Sequence, residues 1–250
     1  IDMKRIVDCD VTAGFWPKAN IDMSLSSIAR LLLQHGITDA CVVSARGILF
    51  DHYRGNREAL AWSENVHDVP AGDSMQVRFI PVGTIDLRRY IGYREEIREM
   101  TRAGVKLWRL FPEYQGWDFD HPGFRRIVSA LEDEGAILFV KGKPGKIWKA
   151  ISGSEISLII GAHFYDASEA LALWEEGARF KLSTQLLHGP GTIQIIAEQA
   201  GIDKLVFGTG TPFSAPGSAP CVVNSSGLSD ESLRMIYAEN LLRMLKGDAR

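Results

Sequence analysis

Cysteine is scarce and scattered in this sequence of 250 residues. The three cysteines (Cys9, Cys41 and Cys221) lie far apart, and none belongs to a CxxC pair or to another spacing that binds zinc. An odd number of widely spaced cysteines favours reduced thiols over a disulfide framework. We therefore expect a cytoplasmic protein with free thiols.

Long apolar runs and strong charge are also lacking. No segment approaches the roughly 18 apolar residues that span a bilayer, and no charged start with an apolar core marks a signal peptide. The formal net charge of −3 gives no reason to expect nucleic acid or a membrane surface as partner. We expect a small-molecule substrate, and a homo-oligomer is possible. We also expect Met3 to be the natural first residue.

Strand-like and helix-like segments alternate along the whole chain. Apolar segments of strand character cover residues 4–14, 40–44, 77–85, 105–111, 136–141, 157–164, 179–186 and 204–213. Helical spacing follows at 24–36, 56–65, 93–103, 121–134, 147–151, 166–177, 192–200 and in a final helix capped by Ser229. Asp120 is the expected N-cap of the fourth helix, and Asp166 with Glu169 forms an expected capping box.

Eight strand-helix units in this length predict a single-domain (β/α)₈ barrel over residues 1–250. A doubly wound sheet is the alternative. The barrel is preferred because no composition shift marks a domain boundary and because polar residues recur at the carboxyl ends of strands, where barrel enzymes hold their sites. These residues are Asp10, Arg109, Lys141, His163, Gln185 and Thr209.

The first strand carries the strongest polar signal. Strand alternation places Asp8, Asp10 and Thr12 on one face, opposite Cys9 and Val11. Aspartate on a buried strand requires a partner or a polar opening, so this strand predicts the start of a site. Alternatively, the second half of the segment is a loop whose polar side chains fix a turn.

Several other residues allow both a binding and a structural interpretation. Arg109 suits a substrate carboxylate, which a guanidinium binds with two parallel hydrogen bonds, or a structural salt bridge. The GKPGK segment, residues 142–146, suits an anion or is simply a basic loop without P-loop spacing. His52 and His188 lie in predicted loops, and His188 follows the seventh strand at the expected active face.

Five segments together resemble a known family: IVDCDVTAG, GVKLWRLFPEY, LFVKGKPG, LIIGAHF and DKLVFGTGTPF, the last followed by GLSDESLRMIYAENLLRML. They are similar to strands and the closing helix of the amidohydrolase-related TIM-barrel family, which includes metal-dependent hydrolases and small-carboxylate decarboxylases. The resemblance covers essentially the whole chain and implies a hydrolase or lyase that acts on a small carboxylate or lactone.

The sequence departs from that family at the metal ligands. The two first-strand histidines correspond to Asp10 and Thr12, the fifth-strand histidine to Lys141, and the eighth-strand aspartate to Gly210. The sixth-strand histidine is present as His163. The resemblance therefore implies a degenerate metal site with no assigned metal ligand, and Gly210 predicts a gap that holds water or a small anion.

Three hypotheses follow. In the first, an enzyme without the usual metal uses Asp10, Lys141 and His163 as catalytic residues, with Arg109, Thr12 and His188 binding substrate, and Lys141 lies within about 4 Å of Asp10. In the second, a relocated zinc site recruits Asp10, His163 and His188. In the third, the chain is a non-catalytic binding or assembly protein.

Overall fold

The computed structural model describes residues 5–17, 20–64, 76–89 and 91–247, so Met3 and the predicted helix end at Asn65 lie outside it. Eight parallel strands pair in chain order in the described part of the chain. They are β1 (Val7–Ala13), β2 (Asp39–Ser44), β3 (Arg78–Gly83), β4 (Leu107–Leu110), β5 (Ile137–Lys141), β6 (Ser157–Gly161), β7 (Lys181–Ser183) and β8 (Leu205–Val206).

Helices follow the strands along the chain. They are α1 (Leu25–Leu33), α2 (Ala45–Leu49), α3 (His52–Glu64), α4 (Tyr93–Arg102), α5 (Pro112–Gln115), α6 (Pro122–Asp133), α7 (Pro144–Ala150), α8 (Ala167–Glu175), α9 (Thr192–Gln199), α10 (Ser218–Asn224), α11 (Asp230–Arg234) and α12 (Asn240–Lys246). His52, expected in a loop, is instead the first residue of α3.

The sheet closes on itself through backbone hydrogen bonds between β1 and the segment after β8. The Cys9 N–H donates to the Phe207 carbonyl at 2.9 Å, and the Thr12 N–H donates to the Thr211 carbonyl at 2.9 Å. The Gly210 N–H returns a hydrogen bond to the Asp10 carbonyl at 3.0 Å. The predicted (β/α)₈ barrel is therefore confirmed.

The core has two layers because side chains alternate along each strand. Outward-facing residues such as Val42 and Trp108 pack between the sheet and the helices. Inward-facing residues such as Cys41 and Phe139 fill the barrel. The inner layer ends at the carboxyl ends of the strands, where polar residues replace apolar ones.

A register shift in β1 corrects the predicted face of the first strand. Asp8 and Val11 pair with residues that are only two apart on β2, so β1 holds one extra residue at this point. The extra residue turns Asp10 and Thr12 inward with Cys9, and Asp8 and Val11 face outward. The expectation that Asp8 shares a face with Asp10 and Thr12 is wrong.

The C-terminal helix contains a π-helical turn over Met235–Glu239, between α11 and α12. A π turn spaces its hydrogen bonds one residue wider than an α-helix, which frees backbone groups for other partners. Here the Ile236 carbonyl accepts from the Phe207 N–H at 3.1 Å. The Asn240 side chain donates to the Leu205 carbonyl at 2.8 Å, so this helix supports the short strand β8.

The predicted helix caps are partly correct. Ser229 caps α11 by accepting from the Ser232 N–H. His121, and not Asp120, caps α6, because its Nδ1 accepts from the Gly123 N–H at 3.0 Å. Asp166 stands at the cap position of α8, yet its side chain forms no capping hydrogen bond.

The described helices include none with the length and apolar character needed to cross a membrane.

Candidate active site

A buried carboxylate joined to two cations lies at the carboxyl ends of β1, β4 and β5. Asp10 Oδ1 accepts from Arg109 Nη1, and Asp10 Oδ2 lies 2.8 Å from Lys141 Nζ. The exposed fractions of the side chains are 1% for Asp10, 6% for Arg109 and 22% for Lys141. The predicted Lys141–Asp10 ion pair is present, and Arg109 takes part in the salt bridge that its structural interpretation predicted.

The two cations decide the ionisation of Asp10. Burial alone would raise its pKa, since a carboxylate loses hydration inside a protein. Arg109 and Lys141 outweigh that effect and hold the pKa of Asp10 below its ordinary value. Asp10 is therefore a carboxylate at neutral pH and a weak base.

Aromatic rings and a buried strand end hold Arg109 in place. Its guanidinium carbon lies 4.5 Å from the centre of the Phe111 ring and 4.9 Å from that of Phe139. Such contacts are favourable for a partly dehydrated cation. Arg109 Nε is buried and has no hydrogen-bond partner.

Gln185 extends the cluster toward β7 and fills the space beside Gly210. Its Oε1 accepts from Lys141 Nζ at 2.8 Å, and its Nε2 donates to Ser214 Oγ at 3.0 Å. A Cβ atom at position 210 would lie 2.6 Å from Gln185 Nε2. The space expected to hold water or an anion is thus taken by an amide side chain.

Asp8 and Thr209 form a separate pair, and Asp8 faces outward whereas the Asp10 side chain faces inward. Asp8 Oδ1 accepts from the N–H groups of Asp10 (2.9 Å) and Thr209 (3.0 Å), and Oδ2 accepts from the Thr209 hydroxyl. Burial raises the pKa of Asp8 to about 6, although these hydrogen bonds oppose the shift. Thr209, expected at the mouth, instead fixes the junction of β1 and β8.

Glu113, in α5 directly after β4, is a site residue that the sequence did not indicate. Its side chain is exposed to solvent, although neighbouring protein atoms partly desolvate its carboxyl group. Burial there raises its pKa, Asp10 adds to the rise, and Arg109 and Lys141 oppose it. Glu113 is therefore a carboxyl group near the two cations that can carry a proton more readily than Asp10.

An aromatic cluster joins the segments that follow β1, β4 and β8 at the same end of the barrel. Trp16, after β1, lies 5.1 Å from Tyr114 and 4.6 Å from Phe213, measured between ring centres. Trp16 is buried, whereas Tyr114 and Phe213 are each about two-fifths exposed. This cluster gives the mouth an apolar wall.

The remaining predicted site residues lie outside the ion cluster. Thr12 is buried on the inner face of β1. His163 and His188 are exposed at the ends of β6 and β7. Neither histidine has a hydrogen bond or ion pair with Asp10 or Lys141 among the described contacts. The structure thus brings together Asp10, Arg109 and Lys141, but not the histidines.

The residues at the mouth do not fit a divalent cation. A catalytic zinc site requires about three protein ligands, and both oxygens of Asp10 already face cationic nitrogens. Within the described residues, no three His, Cys, Asp or Glu side chains converge on a point that a metal could occupy. In the described part of the chain, Asp10, His163 and His188 form no such group.

The GKPGK segment has an ordinary surface arrangement. Lys146 pairs with Asp118 at 2.9 Å, and both side chains are more than half exposed. This pair lines a pocket of about 290 Å³ beside α7, and another pocket of about 300 Å³ lies between Phe15 and Phe50. Neither pocket is lined by Asp10, Arg109 or Lys141.

Comparison with known proteins identifies the fold. No protein-family profile matches the chain, and no curated protein matches it in sequence. Solved structures do match over nearly the full length, and they include amidohydrolase-like TIM-barrel decarboxylases and hydrolases that act on small carboxylates. The predicted resemblance is confirmed at the level of the fold.

Three of these structures illustrate the likeness. An uncharacterized TIM-barrel protein from Bordetella bronchiseptica has a TM-score of 0.73 and 14% identity, with 98% of this chain and 100% of that chain covered. The 2,6-dihydroxybenzoate decarboxylase from Rhizobium has a TM-score of 0.66 and 14% identity, covering 98% and 99%. The 5-carboxyvanillate decarboxylase from Novosphingobium aromaticivorans, complexed with manganese and 4-hydroxy-3-methoxy-5-nitrobenzoic acid, has a TM-score of 0.67 and 12% identity, covering 98% and 97%.

Proposed function

We propose that the chain is a metal-independent lyase that removes a carboxyl group from a small carboxylate at the mouth of its barrel. The observation that carries the proposal is the charge of the ion cluster. Two cations, Arg109 and Lys141, share the single carboxylate of Asp10. The excess positive charge in a largely buried setting suits an anionic substrate.

Access favours Lys141 as the group that meets the substrate. It is the most exposed member of the cluster, and its ammonium group is held by Asp10 and Gln185. Arg109 is almost fully buried and acts behind it as a second positive charge. Asp10 is a positioning residue, because it fixes both cations and contacts solvent hardly at all.

Loss of carbon dioxide needs a proton to replace the departing group. Glu113 suits this role, since its raised pKa increases the protonated fraction and it stands near both cations. Hydrolysis is less well supported, because activation of water needs a base and Asp10 is a weak one. His163 remains a proposed contributor from the edge of the mouth.

The degenerate metal site belongs to this proposal. Lys141 stands where the amidohydrolase-related pattern has a metal-binding histidine, and its ammonium group supplies positive charge beside Asp10. Gly210 stands where that pattern has an aspartate, and Gln185 fills the space beside it. These substitutions support a site that works through fixed cations.

The test is release of carbon dioxide from a panel of small carboxylates by protein purified without added metal. K141M should lose the activity, because it removes the cation that meets the substrate. K143M is the matched control, since Lys143 is an exposed lysine two residues away. Equal activity of K141M and wild type would contradict the proposal, as would the absence of turnover across the panel.

A non-catalytic binding protein is the second candidate. It is favoured by the burial of Asp10 and Arg109 and by the fact that neither described pocket reaches them. In that case a small carboxylate should bind, as measured by calorimetry, without being consumed. K141M should then weaken binding, and no product should form.

A further inference from the structure

Lys141 is held in one orientation by its neighbours. Its stem crosses Gly161 of β6, where a Cβ atom would lie 2.7 Å from Lys141 Cγ. Its Nζ lies 2.8 Å from Asp10 Oδ2 and 2.8 Å from Gln185 Oε1. The absence of a side chain at Gly161 therefore leaves room for the aliphatic part of Lys141. The oxygen atoms of Asp10 and Gln185 hold its Nζ at the mouth of the barrel.

The chemistry of an amine differs from that of the neighbouring guanidinium. A deprotonated lysine nitrogen can attack a carbonyl carbon, whereas arginine remains protonated. Lysine nucleophiles are found in water-poor sites and beside a second cation. Lys141 lies beside such a cation, because Arg109 shares the Asp10 carboxylate, and both Arg109 and Asp10 are almost fully buried.

We infer that Lys141 forms an imine with the ketone of a 3-oxo carboxylate, which makes the chain an imine-forming decarboxylase. The inference rests on the proposed function and names its substrate class. A protonated imine accepts electrons more readily than the ketone of the substrate does, so it stabilises the charge that develops as the carboxyl group leaves. A fixed lysine at the mouth is the group that such a reaction requires.

The first half of the reaction forms the imine. Lys141 releases one ammonium proton to solvent, and its free amine adds to the ketone carbon, C3. The hydroxyl group on C3 takes up a proton and leaves as water. The product is a protonated imine between Nζ and C3, with the substrate carboxylate still attached to C2.

The second half breaks the carbon–carbon bond. Carbon dioxide leaves, and the electron pair of the C2–carboxyl bond forms a C2–C3 double bond. The imine nitrogen accepts the electron pair of the former C3–N double bond. C2 then takes a proton from the Glu113 carboxyl group, which regains one from solvent. Water adds to C3 and releases the ketone and Lys141. The sum is 3-oxo carboxylate plus one proton giving ketone plus carbon dioxide.

Borohydride trapping tests the inference. Acetoacetate is incubated with the protein in the presence and absence of sodium borohydride, and the wild-type protein is digested and mapped by mass spectrometry. An imine is reduced to a stable secondary amine, so Lys141 should carry an isopropyl group after decarboxylation or a carboxylate-bearing group before it. Mapping the wild-type protein requires no variant to fold.

Two lysine variants sharpen the result. K141R keeps a positive charge beside Asp10 but cannot form an imine, so it should stay folded and lose both the adduct and the release of carbon dioxide. K143R should be labelled at Lys141 as wild type is. Circular dichroism and thermal unfolding check that both variants are folded.

The outcomes separate this inference from the proposed function. Carbon dioxide release from acetoacetate or another carboxylate without an adduct on Lys141 would overturn the imine and leave the proposed lyase standing. Labelling spread over exposed lysines would also overturn it. No release and no adduct would overturn both.

Discussion

At the residue scale, substitution of Asp10 should lower the free energy of unfolding most. D10N removes the carboxylate that compensates two cations, and breaking a buried ion pair costs about 3–5 kcal/mol. The exposed pair of Asp118 and Lys146 is a matched control of the same residue types. D118N should cost about 1 kcal/mol or less in the free energy of unfolding, measured with urea.

The coupling between Asp10 and Lys141 gives a second readout of the same pair. K141M should destabilise the fold more than K146M does, because it leaves Asp10 with one partner fewer. D10N should lower the free energy of unfolding less in the K141M background than in the wild type. In that background only Arg109 is left without its carboxylate partner, because Lys141 is already absent. Strictly additive effects of the two changes would contradict a direct ion pair.

Asp8 should make stability depend on pH in the opposite direction from an ordinary ion-paired carboxylate. Its pKa is about 6 in the fold against 3.8 as the ordinary value, so the folded state binds more protons between these limits. Stability contributed by protonated Asp8 is therefore present below about pH 4 and is lost as the pH rises to about 6.

D8N tests this pH dependence, because the Asn side-chain oxygen can accept the hydrogen bonds that Asp8 accepts from two backbone N–H groups. It should flatten the pH dependence of the urea midpoint between about pH 4 and pH 6 and stabilise the protein at pH 7. D120N, at an exposed aspartate, is the control. An unchanged slope in D8N would contradict the assignment.

At the scale of elements, the turn after β8 depends on Gly210. The residue has φ of +75°, and Gln185 occupies the place of a Cβ. G210A should therefore cost more than G104A, where φ is +105° and nothing lies within 4 Å of the added carbon. In both variants, an alanine with a positive φ should lower the free energy of unfolding by about 1–3 kcal/mol.

The difference between the two glycine variants measures the contact with Gln185. Adding Q185A to G210A should recover part of the loss, as measured by urea unfolding. Equal costs for G210A and G104A would show that the Gln185 side chain moves aside freely.

Asn240, directly after the π turn of the C-terminal helix, should support β8 through its side chain. Asn240 donates to the Ile202 and Leu205 carbonyls, so N240A leaves two backbone acceptors without these donors. A loss of about 1–3 kcal/mol is expected for buried groups left unpaired. Q194A, on the exposed face of α9, should change the free energy of unfolding much less.

The sequence predicts some elements of the site better than others. Strand alternation and the family resemblance place Asp10, Arg109 and Lys141 at one end of the barrel, and the structure joins them. The inward turn of Asp10 follows from a register shift, which depends on pairing with β2 and not on the local pattern. Gln185 is predicted at the carboxyl end of the seventh strand, but its hydrogen bonds with Lys141 and Ser214 depend on residues distant in the chain. No local signal marks Glu113.

At the scale of the whole molecule, the order of strands and helices follows from hydrophobic period and glycine-ended turns. The closure of β1 on β8 was predicted from the count of eight units, and three backbone hydrogen bonds confirm it. The π turn was not predictable, because its helical period looks ordinary in the sequence. The hydrogen bonds that join this helix to the β8 region, from the Phe207 N–H and from the Asn240 side chain, are tertiary contacts.

Under the proposed function, Arg109 and Lys141 take the place of a metal ion beside Asp10. The most direct measurement is the metal content of protein purified without chelator, then equilibrated with excess zinc or manganese and desalted, measured by elemental analysis. We expect far less than one ion per chain, with no change in thermal unfolding after addition of a chelator. A content near one ion per chain that D10N abolishes would contradict it.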